Sequence, residues 1–279
     1  MAALAEHFRL PVFEQFASGE VVMEDPYGVV RRGTGYASMA GACRIAGGLG
    51  RVIDALVEEI PVNRRRTGTK VVRLTAAESI PTWMAGQAKI VAVHDRPYWR
   101  EQGLSGDATS RHGPMVEIHD ASPAEHGPYA LFGFVGIPPD VRLTRRDAVL
   151  EAARVQLVRV FGDALAHPLA LELMDWAHEP LTATPADHHS LGHHPAYGLP
   201  RAMMNVWEGR VLFGSTETGQ QFGGYLEGAL EAADSVFNEL GRTAAFPGRA
   251  DPASATALTQ GPQRSGKLGL EAVRQGMRT

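Results

Sequence analysis

The stretch that most constrains the fold of this chain is residues 210–240, which read RVLFGSTETGQQFGGYLEGALEAADSVFNEL. The short apolar run at residues 211–213 predicts a buried strand, and the small polar residues after it predict a loop. The glycine pair Gly223-Gly224 then begins a predicted helix, whose apolar residues recur at helical spacing. Those apolar residues are Leu226, Ala229, Leu230, Ala233, Val236, Phe237 and Leu240.

A strand, a polar loop, a glycine pair and a helix together allow the backbone to approach an anionic ligand closely. The first turn of a helix leaves N–H groups without backbone partners, and the helix dipole favours negative charge there. Glycine lacks the Cβ atom that would hold a phosphate group away. The same pattern also fits a strand-to-helix connection whose glycines serve packing alone, so the pattern by itself leaves both interpretations open.

The residues of this stretch resemble a known family. The segment GSTETGQQFGGYLEGALEAA is similar to the carboxy-terminal flavin-binding motif of the flavin-containing amine oxidases, the monoamine oxidase group. Similar segments lie upstream, so that the resemblance covers most of residues 1–240. They are RIAGGLG at residues 44–50, PTWMAG at residues 81–86 leading into Ala88-Lys89, and Asp175-Trp176 followed by Glu179-Pro180.

The resemblance implies an α/β fold with α+β character, in which a partial FAD-binding domain is interleaved with an antiparallel substrate-domain sheet. Residues 1–74 and 201–240 would be the remnant of the FAD-binding domain, and residues 81–200 the substrate-binding domain. Residues 241–279 are rich in small and polar residues and predict a disordered tail. The family's strand–GxGxxG–helix unit, which binds the ADP half of FAD, is missing from the sequence, which implies a shortened relative, a fragment or a deletion variant.

Three residues are predicted to be catalytic on the basis of the resemblance. Lys89 matches the family lysine that hydrogen-bonds to the flavin N5 through a water molecule. Trp176 and Tyr225 would lie beside the flavin ring. The residues alone also allow a strand-end lysine that reaches water and two ordinary core aromatics. Lys89 shares a strand face with Val91 and Val93, where a buried ammonium is unfavourable without a partner.

The resemblance also implies a set of cofactor-binding residues. Glu217 would accept hydrogen bonds from the ribityl hydroxyls, and Gly223 and Gly224 would admit the pyrophosphate at the start of the helix. The backbone at Val71 would lie against the adenine end. The full predicted set is Val71, Gly214, Glu217, Gly223, Gly224, Tyr225 and Leu226.

The family's chemistry implies that the chain oxidises a primary or secondary amine to an imine, with O2 as acceptor and H2O2 as product. FAD would be held non-covalently, because no cysteine follows Trp176 closely. The second aromatic wall that the family places after Trp176 is not evident in the segment LTATPAD. The sequence contains no GxSxG motif, and Cys43 has no evident histidine partner, so covalent nucleophilic catalysis is not indicated.

A second hypothesis is a non-catalytic remnant or partner-binding module that has lost most of its FAD site. A partner chain or a homo-oligomer that supplies the missing glycine-rich unit would reconcile the two hypotheses.

A third hypothesis, a metal-dependent hydrolase, depends only on the histidines at residues 187–194. Because those histidines lie in a loop rich in proline and glycine, their geometry is not fixed and no metal site is predicted.

Composition excludes some classes of protein. A net charge of −4 provides no large basic surface for nucleic acid. No apolar run is long enough to span a membrane, and the amino terminus does not resemble a signal peptide. A single cysteine, Cys43, suits the reducing cytoplasm.

Patterning predicts the remaining elements. The helices are expected at residues 2–10, at 50–60 before Pro61, and at 145–160 after a capping Thr144. A hairpin is expected over residues 20–31, with a turn from Asp25 to Gly28. Further strands are expected at residues 69–74, 89–94, 115–119, 129–135 and 169–174, with 115–119 and 129–135 paired antiparallel and a loop at 95–111.

Overall fold

A computed structural model of the chain describes residues 1–65, 86–179, 183–188, 196–206, 209 and 211–242. The chain divides into two compact units, Met1–Ala233 and Asp234–Thr279. In the second unit only residues 234–242 are described, and they are helical. The predicted strand at residues 69–74, with Val71, lies outside the described residues, as does the tail beyond residue 242.

The described part of the chain consists of helices, strands and the segments that connect them. The helices are α1 (Ala2–His7), α2 (Gly50–Glu59), α3 (Tyr98–Glu101), α4 (Pro139–Thr144), α5 (Arg146–Phe161) and α6 (Leu226–Arg242). The strands are β1 (Val12–Glu14), β2 (Glu20–Glu24), β3 (Val30–Gly33), β4 (Cys43–Ile45), β5 (Ala88–His94), β6 (Leu104–Ser110), β7 (Met115–Asp120), β8 (Tyr129–Val135) and β9 (Ala170–Asp175).

A mixed seven-stranded sheet, in the order β3-β2-β6-β7-β8-β5-β9, is the centre of the fold. Its neighbouring strands are antiparallel except for β2 and β6, which run parallel. β1 and β4 pair antiparallel in a separate two-stranded sheet. The mixed α/β architecture and the antiparallel pairing of β7 with β8 were both predicted and are confirmed.

The core lies on one face of this sheet, and α5 contributes to the same core. Along β5 the side chains alternate, with Ala88, Ile90, Ala92 and His94 buried and the residues between them half-buried. The alternation is expected of a strand that covers a core on one face only. The buried apolar residues of α5 belong to the same cluster and include the predicted residues Val149, Ala153, Leu157 and Val160.

The prediction of a loop at residues 95–111 is wrong. This segment contains α3 and then β6, whose neighbours in the sheet are β2 and β7. The sequence of β6, LSGDATS, lacks the β-branched alternation that marks a strand. It forms a strand because β2 and β7 flank it, and all of its residues except Thr109 are buried.

Two boundary predictions near helices are also wrong. Thr144 does not cap α5: it ends α4, where its hydroxyl donates to the carbonyl oxygens of Asp140 and Val141. α6 begins at Leu226 rather than at Gly223-Gly224. Gly224 has a φ of +82°, a left-handed value that a right-handed helix does not accommodate.

The predicted strand at residues 211–213 is absent, since these residues have no strand conformation. A three-residue apolar run is too short to distinguish a strand from other half-buried backbone.

The seven-stranded sheet includes β2 and β3 from the predicted segment 1–74 and β5 to β9 from the predicted segment 81–200. The domain boundaries stay a prediction. Among the described helices, none combines the length and apolar character that crossing a membrane requires.

Candidate functional site

Lys89 lies at the centre of an aromatic cluster on the face of the sheet opposite the core. Its Nζ atom is 4.8 Å from the centre of the Phe134 ring and 5.2 Å from that of Phe132. The Trp176 ring is centred 5.8 Å from the same atom. Lys89 pairs in register with Phe134 on β8, and Trp176 follows directly after β9, on the other side of β5. The structure therefore brings the predicted residues Lys89 and Trp176 together.

The ammonium group of Lys89 has an unusual environment. We call Lys89, Phe132, Phe134 and Trp176 together the Lys89 cluster. Burial lowers the pKa of Lys89 below its ordinary value of 10.5. Within the described part of the chain, its ammonium group has no hydrogen-bond or carboxylate partner, and the three aromatic rings are its recorded neighbours. Ring faces attract a cation but leave its N–H donors unused. The ammonium is therefore available to donate to an acceptor that enters this face.

A buried histidine–carboxylate pair borders the Lys89 cluster. His119 on β7 places Nδ1 2.6 Å from Oδ1 of Asp107 on β6, and both side chains are buried. The imidazole ring lies 5.2 Å from the Phe132 ring, centre to centre. Sequence reasoning missed this pair, because Asp107 fell in the segment predicted to be a loop. The strand pairing of β6 with β7 was the missing information.

An ion pair between Arg142 and Asp175 anchors the backbone just before Trp176. The guanidinium donates Nε to Oδ2 and Nη2 to Oδ1 of Asp175, both at 2.7 Å. Nη2 also donates to the carbonyl of Gly86, two residues before β5. Asp175 in turn accepts a hydrogen bond from the amide of Ala177. This arrangement holds the start of β5 and the end of β9 together, and so fixes the backbone on both sides of the Lys89 cluster.

The predicted cofactor-binding residues near the carboxy terminus lie in one loop, residues 214–225, except for Leu226, which begins α6. Glu217 is half-buried in a 3-10 turn, Thr216–Thr218, while Gly214 is exposed. Tyr225 and Leu226 are 61% and 47% exposed. The side chains of Tyr225 and Leu226 are therefore accessible to a ligand, whereas Gly223 is buried.

The loop packs closely on the first turns of α6, at positions where a side chain cannot fit. A Cβ atom on Gly228 would lie 2.0 Å from the carbonyl oxygen of Phe222. Away from α6, a Cβ atom on Gly223 would lie 2.6 Å from the ring of Tyr197, in the segment that precedes the loop. Thr216 ties the loop to the helix start, because its Oγ1 donates to the carbonyl of Tyr225 at 2.5 Å.

Glu231 on α6 binds the backbone of the same loop. Its carboxylate accepts from the amides of Gln220 at 2.9 Å, Gln221 at 3.1 Å and Phe222 at 3.4 Å. Hydrogen bonding to these amides, that of Gln221 above all, holds the pKa of Glu231 below its ordinary value. Sequence reasoning missed this residue, since nothing in a helical glutamate identifies its partners.

The Lys89 cluster and the loop at residues 214–225 form two separate groups in the described structure. No hydrogen bond, ion pair or ring contact recorded for the described residues joins them. No group of three potential metal ligands occurs in the described ranges, and His189, His193 and His194 lie outside them. The carboxylate of Asp187 accepts a hydrogen bond from the amide of Thr184, and Nε2 of His188 is hydrogen-bonded to the carbonyl of Ala177.

Comparison with known families gives a match over more than half of the chain. Residues 74–236 match the family described as flavin containing amine oxidoreductase. The "Putative flavin-containing monoamine oxidase AofH" of Mycobacterium tuberculosis is 30% identical over 171 residues, 57% of this chain and 34% of that protein. The "Probable flavin-containing monoamine oxidase A" of Dictyostelium discoideum is 27% identical over 169 residues, 56% of this chain and 34% of that protein. The chain thus spans about a third of the length of these curated relatives.

Solved structures of putrescine oxidase are similar to this chain in fold. A triple mutant of putrescine oxidase superposes with a TM-score of 0.61 at 13% identity, over 87% of this chain and 85% of that chain. The structure of putrescine oxidase bound to putrescine gives a TM-score of 0.58 at 14% identity. At identities this low, the superpositions establish a shared fold and nothing more.

Proposed function

Because the chain belongs to the flavin-containing amine oxidoreductase family, we propose that it binds FAD non-covalently and oxidises a small-molecule amine. Family membership implies FAD as the cofactor. The observation that supports catalysis most strongly is the Lys89 cluster, in which an ammonium of lowered pKa lies among three aromatic rings without a carboxylate partner in the described structure.

The residues present fit a flat ring system with polar edges. Phe132, Phe134 and Trp176 supply aromatic surface, and Lys89 supplies a hydrogen-bond donor at their centre. The exposed Tyr225 supplies further aromatic surface. Cys43, the single cysteine of the chain, lies in β4 of the separate two-stranded sheet, which supports a non-covalent cofactor.

In the proposed reaction an amine that carries hydrogen on its α-carbon reacts with O2, and the products are the corresponding imine and H2O2. One C–H bond at the α-carbon and one N–H bond of the amine break, a second bond forms between the same carbon and nitrogen, and O2 receives both electrons and both protons. FAD, when bound, supplies the two-electron acceptor between amine and O2. Lys89 donates a hydrogen bond to an acceptor or an ordered water on this face, and the surrounding rings exclude bulk water and orient an apolar substrate.

The loop at residues 214–225 has a separate proposed role, which is to hold the rest of the cofactor. Glu217 would accept from ribityl hydroxyls, since its side chain is half-buried and makes no recorded hydrogen bond in the described structure. The backbone at Gly223 and Gly224 would approach the pyrophosphate. Gly214, Tyr225 and Leu226 would border the same ligand, and Val71 would complete the set at the adenine end.

Cofactor titration of the purified full-length chain tests this proposal directly. We expect flavin absorbance to remain with the protein after FAD is added and free FAD is removed. The loaded protein is then assayed for H2O2 with a panel of primary and secondary amines. Circular dichroism confirms folding in parallel. A folded chain that retains no flavin at saturating FAD contradicts the proposal.

A second candidate function is a partner-binding module, and the surface of α2 favours it. Ile53, Leu56 and Val57 are exposed along this helix, and so is Ile60 directly after it, although they follow helical spacing and form one apolar face. Light scattering coupled to size exclusion, with absorbance recorded across the peak, separates the two candidates. A flavin-bearing species favours the oxidase, and a flavin-free monomer favours the module.

A further inference from the structure

Three successive backbone amides converge on one carboxylate at the start of α6. The N–H groups of Gln220, Gln221 and Phe222 all donate to Glu231, which lies nine to eleven residues later in the chain. Convergent amides of this kind form a concave anion-binding site in proteins. Here the anion is a side chain of the protein itself.

On the helix face that carries Glu231, close contacts show that the loop packs directly against α6. Gly228 lies three residues before Glu231, so the two positions share one face of the helix. A Cβ atom on Gly219 would lie 3.1 Å from Oε2 of Glu231 and 3.1 Å from the Cα of Gly228. The loop therefore crosses the helix between these two positions, with a glycine on each side of the crossing.

The charge on Glu231 strengthens this contact. Hydrogen bonds from neutral amides to an ionised carboxylate are stronger than those between neutral groups. The amides lower the pKa of Glu231, so the carboxylate stays ionised at neutral pH. A neutral amide side chain at this position presents one acceptor oxygen instead of two and turns an NH2 group toward the backbone donors.

We propose that Glu231 is a positioning residue, whose carboxylate fixes residues 219–222 on α6 and thereby sets the loop geometry that FAD binding requires. Glu217 precedes the fixed segment and Gly223-Gly224 follow it, so both proposed contact points depend on where the segment lies. This inference rests on the proposed function for the identity of the ligand. Fixation of the loop is a property of the chain without any ligand.

The proposal also limits where the phosphate groups of a cofactor bind. The amides of residues 220–222 are occupied by Glu231 and are not available to an external anion. An incoming pyrophosphate is left with the backbone beyond them, at Gly223 and Gly224.

Glu231→Gln in the full-length chain tests the inference, with Glu227→Gln as the matched control. Glu227 lies on the same helix, but its carboxylate contacts the amino group of Met1. Amide hydrogen exchange of residues 220–222 is measured without FAD, and the dissociation constant for FAD is measured by flavin fluorescence. Melting curves confirm folding, and Glu231→Asp is a milder second variant that retains the charge.

We expect Glu231→Gln to raise amide exchange at residues 220–222 by about tenfold and to weaken FAD binding by about tenfold, with Glu231→Asp between it and the parent. Glu227→Gln should change neither quantity. Unchanged exchange at these amides in a folded Glu231→Gln chain would overturn the proposal, and so would raised exchange with unaltered FAD affinity. If the parent chain binds no FAD, the proposed function fails and with it the cofactor part of this inference, whereas the exchange measurement still decides whether Glu231 fixes the loop.

Discussion

Lys89 and Phe134 face each other across neighbouring strands, with the Lys89 Nζ atom 4.8 Å from the centre of the Phe134 ring. Strand register fixes this relationship, because a slip of one residue would turn Lys89 into the apolar core on the opposite face. The face on which the ammonium lies is thus set by the pairing of β5 with β8, independently of any ligand. The ligand therefore meets a donor on the correct face of the sheet without a change in strand pairing.

Replacing Lys89 with methionine should separate activity from folding. Methionine keeps the apolar stem and removes the ammonium, so we expect amine oxidation by the FAD-loaded chain to fall by about a hundredfold. The thermal midpoint should not decrease, because burial disfavours the charged form of Lys89. Val93→Thr, on the same face of β5, is the control and should leave the rate unchanged. A Lys89→Met chain with the parent rate would remove Lys89 from the mechanism.

The same lysine should make stability depend on pH in the alkaline range. Its folded-state pKa is lowered below 10.5, the ordinary value that describes the unfolded chain. Between these two pKa values the unfolded state binds more protons, so stability rises with pH there. We therefore expect the parent chain to gain free energy of unfolding relative to Lys89→Met as pH rises through the folded pKa towards 10.5. Urea unfolding of both chains along a pH series measures the difference, and parallel curves would contradict the expectation.

Arg142→Met should destabilise the chain strongly, because it leaves the carboxylate of Asp175 without its bidentate partner. Only 2% of the Arg142 side chain and 9% of the Asp175 side chain are exposed. Loss of one member of such a buried pair costs about 3–5 kcal/mol in free energy of unfolding. The control is Arg96→Met, whose pair with Glu101 lies at the surface, and its expected loss is below about 1 kcal/mol. Chemical denaturation of both variants makes the comparison, and equal losses would show that the Arg142 pair is no stronger than a surface pair.

The sequence alone was sufficient to predict the elements whose own residues show a clear strand or helix period. β5 alternates along its length, α5 repeats its apolar residues at helical spacing, and both were found where predicted. Lys89 and Trp176 were paired through resemblance to a family, and the structure places them 5.8 Å apart, measured from Nζ to the ring centre.

Features that depend on partners distant in the sequence were not predictable in this way. β6 is a strand because β2 and β7 flank it, although its own residues are small and polar. His119 meets Asp107 only after β6 and β7 have paired. Glu231 looks like any exposed helical glutamate until the loop before the helix folds back onto it. In each case the information lies in the pairing of segments and not in the composition of one segment.

Gly228→Ala should alter the loop while leaving α6 helical. Alanine is the better helix former by about 1 kcal/mol, so local propensity favours the variant. Its Cβ atom, however, would lie 2.0 Å from the carbonyl oxygen of Phe222, and backbone cannot yield as a flexible side chain does. The loop must move, at an expected loss of about 1–3 kcal/mol in free energy of unfolding. Asn238→Ala, an exposed position of the same helix, is the control for propensity alone. For Gly228→Ala, far-UV circular dichroism should show that the helix is retained, thermal unfolding a lower midpoint, and FAD titration weaker binding. Asn238→Ala should show neither the lower midpoint nor the weaker binding. A Gly228→Ala chain that matches the parent in stability and FAD affinity would show that the loop tolerates displacement.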